Sequence, residues 1–104
     1  MAELRFSILA ESDLLSIGAY TLRTWGEAQA GRYINGIEAC CGLLAGNPGL
    51  GRACDNIRPG LRRMEHGKHV VFYRQETGGI LVVRLLHRSM LPDRYAIDDH
   101  EATP

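Results

Sequence analysis

The sequence predicts a small α+β domain with the element order β-α-α-β-β-β: an N-terminal strand, an antiparallel helical hairpin and a three-stranded antiparallel meander. Three observations support this class. Apolar and polar residues alternate near the N-terminus, two long segments with helical periodicity follow, and residues 61–87 contain three runs rich in β-branched and aromatic residues. A helical hairpin must bury its apolar stripes, and the only layer that this chain can supply for that purpose is one face of the sheet.

Each element has its own signal, beginning with the first strand at residues 2–8, where the period of two predicts one buried face. The side-chain oxygen of Ser7 can accept a hydrogen bond from the first turn of a helix, and Gly26 is a typical residue for the end of that helix. A second helical segment runs from Glu27 to Ala45 and stops at the turn sequence of residues 46–49. The short turn between the two segments predicts an antiparallel hairpin.

The first helix carries two apolar stripes about 120° apart on its surface. We expect the sheet to cover the first stripe, which contains Ala10, Leu14, Ile17, Thr21 and Trp25. The second stripe cannot face the sheet at the same time, so it is either exposed to solvent or packed within the hairpin. It contains Ile8, Leu15, Ala19 and Leu22.

The second half of the chain reads as strands after a loop at residues 49–60, which is rich in glycine and proline. Turns at residues 66–68 and 76–79 separate three strand candidates, Leu61–Glu65, His69–Gln75 and Ile80–His87. The last candidate is almost continuously apolar, which predicts a central strand covered on both faces.

Length and composition set the limits of this domain. A chain of 104 residues supports one core and no second domain, and 45% hydrophobic with 23% charged residues fits neither a disordered nor a membrane-embedded chain. Because no segment approaches the roughly 20 apolar residues of a bilayer span, and no signal peptide is visible, we expect a cytoplasmic protein without a membrane partner. We assign residues 1–95 to a single domain and residues 96–104 to an acidic C-terminal tail.

The formal net charge of zero conceals a strong segregation of charge. Residues 1–51 contain 3 Arg and 5 acidic residues, residues 52–94 contain 9 Lys or Arg and 4 acidic residues, and the remaining residues add 3 acidic ones. The sheet half is therefore basic, which is typical of a surface for phosphates or an acidic protein but also of a sheet that is kept soluble.

Arg84 is the most informative single charge, because it interrupts the most apolar strand, where a charge is costly unless it is paired. The sequence offers Glu65 or Asp93 as the partner of an ion pair, and a functional role for Arg84 is the alternative.

Cysteine spacing is less informative. Cys40, Cys41 and Cys54 form neither a disulfide framework nor a zinc motif, so we expect buried thiols and no metal or cofactor.

Parts of a ribonuclease site are present, although no spacing makes them a motif. Such a site needs a general base, a general acid and cations that stabilise the transition state. Glu65 and one of the histidines could supply acid–base groups, and several arginines could hold the phosphate. The histidines concerned are His66, His69 and His87, and the arginines are Arg62, Arg74, Arg84 and Arg88.

Five ordered blocks resemble the ParE toxins of type II toxin–antitoxin systems, within the wider RelE/ParE superfamily. The resemblance runs from about Leu4 to Tyr95, so it covers nearly the whole chain. Its blocks are AYTLRTWGEAQA at residues 19–30, LAGNPGLGR at 44–52, IRPGLR at 57–62, GKHVVFYR at 67–74 and VRLLHRSM at 83–90. A RelE/ParE-like fold is what this resemblance implies, and it agrees with the order of elements above.

The resemblance also implies a function: a toxin, not an enzyme, that inhibits DNA gyrase, blocks replication and is neutralised by a ParD-like antitoxin. DNA would be reached only indirectly, through the antitoxin or gyrase. Candidates for target contact are Arg74, Arg84, His87 and Arg88. The alternative is a RelE-like mRNA endoribonuclease that uses His87, Arg84 and Glu65.

The second stripe of the first helix is our candidate for antitoxin binding. Leu15, Ala19 and Leu22, together with Trp25 and Tyr33 near the hairpin turn, could receive an amphipathic antitoxin helix, followed by strand addition at a sheet edge. The competing interpretation is that Leu15 and Leu22 pack inside the hairpin.

Overall fold

The computed structural model describes residues 2–90 and has the predicted α+β architecture. Residues 96–104, predicted as an acidic tail, lie outside the described residues, as do Asp93 and Tyr95. The elements are β1 (Glu3–Phe6), α1 (Ile8–Trp25), α2 (Glu27–Gly46), β2 (Arg52–Ala53), β3 (Leu61–His66), β4 (His69–Glu76) and β5 (Gly79–His87). Neither of the two helices in this part of the chain combines the length and hydropathy needed to cross a membrane.

The sheet has five strands in the order β1-β5-β4-β3-β2, and it is mixed because β1 pairs in parallel with β5. The meander of β3, β4 and β5 is antiparallel, as predicted. Strand β2 was not expected, since two residues carry no periodicity. It pairs with Arg62 and Arg63 of β3, within a segment that the composition predicted to be a loop.

A buried tyrosine fixes this segment to the sheet. The hydroxyl of Tyr73 donates to the carbonyl of Pro48 and accepts from the amide of Gly51, both at 2.8 Å. The guanidinium of Arg62 donates to the carbonyl of Gly51 at 2.6 Å. These three bonds hold backbone groups of a turn that has no regular strand pairing. Because the turn is fixed in place, β2 can pair with β3 directly after it.

Strand β5 contributes to the core on both sides of the sheet, which confirms that it is a covered central strand. Ile80, Val82 and Leu85 pack in a cluster beneath α1 and α2, with Ile37 and Leu44 of α2. The intervening residues belong to a cluster on the opposite face, which comprises Cys54, Leu61, Val70, Phe72, Leu81, Val83 and Leu86. The thiols of Cys41 and Cys54 are buried as expected, and that of Cys40 is half-buried.

The start of α1 is attached to the edge of β5 at the point where β1 ends. Ser7 is the N-cap, as predicted: its Oγ accepts from the amide of Ala10 at 3.0 Å and donates to the carbonyl of Val83 at 2.8 Å. Its backbone amide donates to the carbonyl of Val82. Ser7 therefore has two roles: it caps the first turn of α1, and it continues the hydrogen bonding of β1 to β5.

Asp13 of α1 is the ion-pair partner of Arg84, in place of the Glu65 or Asp93 suggested by the sequence. Its carboxylate accepts from Nε and a terminal nitrogen of Arg84 at 2.8 and 2.9 Å, and from the amide of Leu85 at 2.9 Å. Glu65 instead accepts from Arg52 and Arg63. The carboxylate of Asp13 thus accepts a hydrogen bond from an amide of β5 that lies beyond the end of β1.

The two stripes of α1 meet different environments. Ala10, Ile17 and Thr21 are buried, whereas Trp25, which we assigned to the same stripe, is 63% exposed because α1 ends there and Gly26 turns the chain with a φ of 91°. Leu15 is 77% and Leu22 48% exposed. The second stripe is therefore exposed to solvent rather than packed within the hairpin.

Candidate functional site

A groove of about 620 Å³ lies between the helical hairpin and the end of the sheet. Helix α1 and the start of α2 form one wall, and the β3–β4 turn with the end of β5 forms the other. Its lining comprises Ser16, Ile17, Tyr20, Thr21, Trp25, Gln29, Tyr33, Gly67, Lys68, His69, His87, Ser89 and Met90. This combination of aromatic walls and a few polar groups is typical of a binding surface.

Three histidines form a row across the sheet beside this groove. The tight turn at residues 67–68 places His66 opposite His69, and the β4–β5 register places His69 opposite His87. The rings of His69 and His87 meet edge to face, with centroids 5.3 Å apart. The turn was predicted from the sequence, but the row was not, since it depends on the register between β4 and β5 as well.

Tyr33 of α2 ties the turn to the histidine row. Its hydroxyl lies 2.6 Å from Nδ1 of His69 and accepts from the backbone amide of Lys68 at 3.1 Å. The single hydrogen of this hydroxyl has two acceptors within reach, Nδ1 of His69 and the carbonyl of His66 at 3.4 Å. A Cβ at Gly67 would lie 2.8 Å from the Tyr33 ring, so glycine is required for this approach as well as for its positive φ.

His87 is one of the residues that line the groove. Its Nδ1 accepts from the amide of Ser89 at 3.1 Å, so Nε2 carries the proton in the neutral ring. Lys68 adds a positive charge, and none of the described residues that line the groove is acidic. An apolar ligand with an acidic or hydrogen-bond-accepting group therefore fits this surface best.

The pKa of His69 is lowered from 6.5 to about 4, first by burial and then by the neighbouring His87 and His66, against the opposing effect of Asp13. The unfolded chain therefore binds a proton that the folded chain does not between these two pH values. The contribution of His69 to stability is complete above about pH 6.5 and is lost as the pH falls toward about 4.

We expect this difference to appear in urea unfolding measured from neutral pH down to about pH 4.5. The free energy of unfolding should fall with pH, and the fall should be smaller for His69→Gln, since glutamine does not titrate. All other titrating groups are shared by the two proteins. Equal slopes for both proteins would show that His69 is not the group responsible.

The four candidates for target contact differ in whether a carboxylate of the described chain binds them. Arg84, with its side chain 12% exposed, is held by Asp13, and Arg74 donates to Glu76 at 3.1 Å. Arg88 is exposed, and His87 lies next to it at the end of β5. The structure thus brings only His87 and Arg88 together at an accessible edge.

The three residues of the ribonuclease alternative do not converge. Glu65 pairs with Val70 on the opposite face of the sheet from the helices, whereas His87 shares the helix-facing row with His69. Glu65 is also bound to Arg63, whose hydrogen bond lowers the pKa of that carboxyl although burial opposes it. Arg84 points its guanidinium at Asp13.

The five candidates for antitoxin contact lie on two surfaces. Trp25 and Tyr33 line the groove, together with Tyr20 and Met90, which sequence reasoning did not select. Leu15, Ala19 and Leu22 lie on the outer face of α1, remote from the sheet. The periodicity of α1 could have indicated Tyr20, since it is a large aromatic residue one turn from Ser16 and Thr24 on the polar side.

Comparison with known proteins identifies related chains. Residues 4–92 match the family described as the ParE toxin of type II toxin–antitoxin system, parDE. The chain is 42% identical over 86 residues to Toxin ParE1 of Mycobacterium tuberculosis, which covers 82% of this chain and 88% of the relative. It is 39% identical over 90 residues to Toxin ParE1 of Caulobacter vibrioides, covering 86% and 93% of the two chains.

A solved structure supports the fold independently. The structure titled "Chromosomal ParDE TA system from P. aeruginosa" superposes with a TM-score of 0.70 at 23% identity, over 84% of this chain and 96% of that one.

Proposed function

Because the chain belongs to the ParE toxin family of type II toxin–antitoxin systems, we propose that it inhibits DNA gyrase in the cytoplasm and is neutralised by direct binding of a ParD-like antitoxin. Inhibition would trap cleaved DNA and block replication, with DNA contacted only through gyrase or the antitoxin. The observation that carries the neutralisation step is the exposed apolar surface of the hairpin, formed by the outer face of α1 and the aromatic groove.

The target-contact surface that we propose is the accessible end of β5. His87 and Arg88 lie there without a carboxylate among the groups that bond them in the described chain. Arg74 and Arg84 remain candidates, but each is held in an ion pair, with Glu76 and Asp13 respectively. To contact a target directly, each arginine would have to leave its carboxylate. Otherwise it contributes by maintaining the local geometry. This arrangement therefore suits a surface that binds a protein target better than it suits an enclosed catalytic site.

Gyrase cleavage and mRNA integrity together test the proposal. Expression of the chain without its antitoxin should accumulate gyrase-linked DNA breaks and arrest growth, and co-expression of the antitoxin should abolish both effects. The variant Arg88→Glu should weaken the gyrase effect without changing antitoxin binding, if the end of β5 is the target surface. Cleaved mRNA with unaffected gyrase would reject the proposal in favour of the ribonuclease alternative.

The antitoxin contact is tested by replacing exposed apolar residues of α1 with charged ones. We expect Leu15→Glu with Leu22→Glu to weaken antitoxin binding about 10-fold or more, because two apolar contacts would be replaced by buried carboxylates. Thermal unfolding should change little, since both side chains are exposed in the free protein. Isothermal titration calorimetry gives the affinity.

The matched control is Leu43→Glu on α2, whose leucine is similarly exposed at 56% but lies outside the proposed contact. Its affinity for the antitoxin should equal that of the unmodified chain. A double variant that binds normally would place the antitoxin elsewhere, and one that fails to fold would show that the two leucines belong to the core.

A further inference from the structure

The positive charges of the sheet half differ in how easily a partner can reach them. Several of its arginines are held in ion pairs, which are Arg52–Glu65, Arg63–Glu65, Arg74–Glu76 and Arg84–Asp13. Lys68 and Arg88 are exposed, and no carboxylate within residues 2–90 forms an ion pair with either of them. A partner can therefore bind these two cations without breaking an ion pair of the described chain.

Backbone contacts hold Lys68 and Arg88 next to each other. The amide of Arg88 donates to the carbonyl of Lys68 at 2.8 Å, and the guanidinium of Arg88 donates to the carbonyl of Gly67 at 3.4 Å. Two positive charges that are held close together repel each other, and a bound anion relieves this repulsion. The arrangement therefore favours a ligand whose negative charge is shared by the two side chains.

Tyr33 fixes the turn that carries Lys68. Its hydroxyl accepts from the amide of Lys68 at 3.1 Å and lies 2.6 Å from Nδ1 of His69, in the strand that follows the turn. The backbone beneath the two cations is thus held from the side of α2 as well as from the end of β5. Because this backbone needs no ordering when a partner binds, the entropy cost of the contact is small.

The small extent of this charged surface indicates a protein partner rather than a nucleic acid. Proteins that hold a duplex through its phosphates make on the order of 6–10 such contacts. Here the two cations lie beside Met90, which is 37% exposed, and beside the aromatic groove. Arginine, methionine and aromatic residues are enriched in protein–protein interfaces. An acidic side chain on a protein surface therefore fits best.

We propose that Lys68 belongs to the target-contact surface, where it and Arg88 together bind one acidic side chain of the target, and that Tyr33 is the positioning residue of this pair. This rests on the proposed function, since gyrase is taken as the target. Lys68 also lines the groove, so an antitoxin that is seated there covers it. Neutralisation then removes one of the two cations from the reach of the target.

Inhibition of gyrase by the purified full chain measures the contact. Lys68→Gln and Arg88→Gln should each raise the half-inhibitory concentration about 10-fold, the loss of one charge-assisted hydrogen bond. Because both cations bind the same group, the double variant should lose less than the product of the two single effects. The matched control is Arg23→Gln, an exposed arginine at the end of α1, which should inhibit normally. Effects that multiply would overturn the shared partner.

Lys68 is the single lysine of the sequence, so its charge can be tested by chemical modification. Acetylation removes the positive charge of an amine, whereas reductive dimethylation retains it. The acetylated chain should lose inhibition as Lys68→Gln does, and the dimethylated chain should keep it. Lys68→Arg, treated in the same way, controls for the N-terminal amine. Equal loss after dimethylation, or after acetylation of the control, would overturn the role of the charge.

Tyr33→Phe tests the positioning role. Without the hydroxyl, the amide of Lys68 loses its acceptor, so hydrogen exchange at the amides of Lys68 and Arg88 should become faster and inhibition should weaken severalfold. In a chain that already carries Lys68→Gln and Arg88→Gln, the same change should not weaken inhibition further. An equal loss in both backgrounds would show that Tyr33 acts on the fold in general and would overturn its positioning role.

Three outcomes separate this proposal from the proposed function. A chain that leaves gyrase fully active overturns both. A chain that inhibits gyrase, with Lys68→Gln equally potent, overturns only the contact of Lys68. Binding to duplex DNA alone that Lys68→Gln abolishes, while its binding to gyrase without DNA is unchanged, overturns the acidic protein partner.

Acetylation also reports on neutralisation. In the complex with the antitoxin, mass spectrometry should show slower acetylation of Lys68 than in the chain alone, because the groove is covered. The N-terminal amine of the same molecule is the internal control. Equal rates at Lys68 with and without the antitoxin would overturn the covering of this residue and leave its contact with the target standing on the inhibition data.

Discussion

Replacement of Asp13 by alanine should lower the free energy of unfolding by about 3 kcal/mol, because removal of one partner of a buried ion pair leaves the other charge uncompensated. The side chains of Asp13 and Arg84 are only 15% and 12% exposed. The variant also removes the acceptor of the Leu85 amide, which faces no strand beyond the end of β1. Urea unfolding followed by circular dichroism measures the loss.

Two further variants separate charge from packing at this position. Glu11→Ala, an exposed acidic residue in the first turn of the same helix, should cost roughly 0.5 kcal/mol or less. Arg84→Met in the Asp13→Ala background should recover part of the stability, since an apolar pair of similar volume avoids the buried charge. No recovery in the double variant would mean that the backbone contact to Leu85 dominates.

The same double variant decides whether Arg84 contacts a target. If it folds and remains toxic, Arg84 acts only through its ion pair with Asp13. If it folds and loses toxicity while antitoxin binding persists, the guanidinium belongs to the target surface. Arg88→Glu, which disturbs no carboxylate pair in the described chain, is the positive control, because it should lower toxicity while the fold stays intact.

Replacement of Gly51 by alanine should lower the free energy of unfolding by about 2 kcal/mol, because the added methyl group would overpack a closed site. Its Cβ would lie 2.5 Å from the hydroxyl of Tyr73 and 2.7 Å from the backbone carbonyl of Arg63. Neither neighbour moves freely: the hydroxyl is fully buried and bonded to Pro48, and the carbonyl belongs to β3.

The control for this prediction is Gly49→Ala, two residues earlier in the same turn, where a Cβ meets open space. Its unfolding free energy should stay within about 0.5 kcal/mol of the unmodified protein. Tyr73→Phe removes the atom nearest to the new methyl group, so Gly51→Ala should cost less in that background. Strict additivity of the two changes would show that the hydroxyl does not cause the strain, which would then come from the carbonyl of Arg63 and from ring atom Cε1 of residue 73 at 2.9 Å.

The sequence was sufficient for the elements whose signals are local. Ser7, Gly26 and the turn at residues 66–68 act within a few residues, and each has its predicted role. Strand β2 escaped prediction because the turn that precedes it is held by a tyrosine more than 20 positions away. Trp25 falls on the stripe that faces the sheet and is nevertheless exposed, because helical periodicity does not show where the sheet beneath the helix stops.

The candidate site was less accessible to sequence reasoning, since it is assembled from distant segments. The row of His66, His69 and His87 depends on two strand registers, and its contact with Tyr33 depends on the position of α2 above them. The partner of Arg84 was missed for a related reason. Asp13 lies on a helix, and only the short length of β1 brings that helix to the edge of β5.

The parallel pairing of β1 with β5 has a consequence for the time at which the toxin is completed. Ser7, which ends β1 and begins α1, bonds to Val83, 76 positions later in the chain. At synthesis rates of about 5–20 residues per second, the N-terminal segment waits roughly 4–15 s for its partner strand. The residues of the hairpin are therefore synthesised before the sheet edge that anchors them. A nascent chain can present the helices that we propose as the antitoxin contact before synthesis of the toxin is complete.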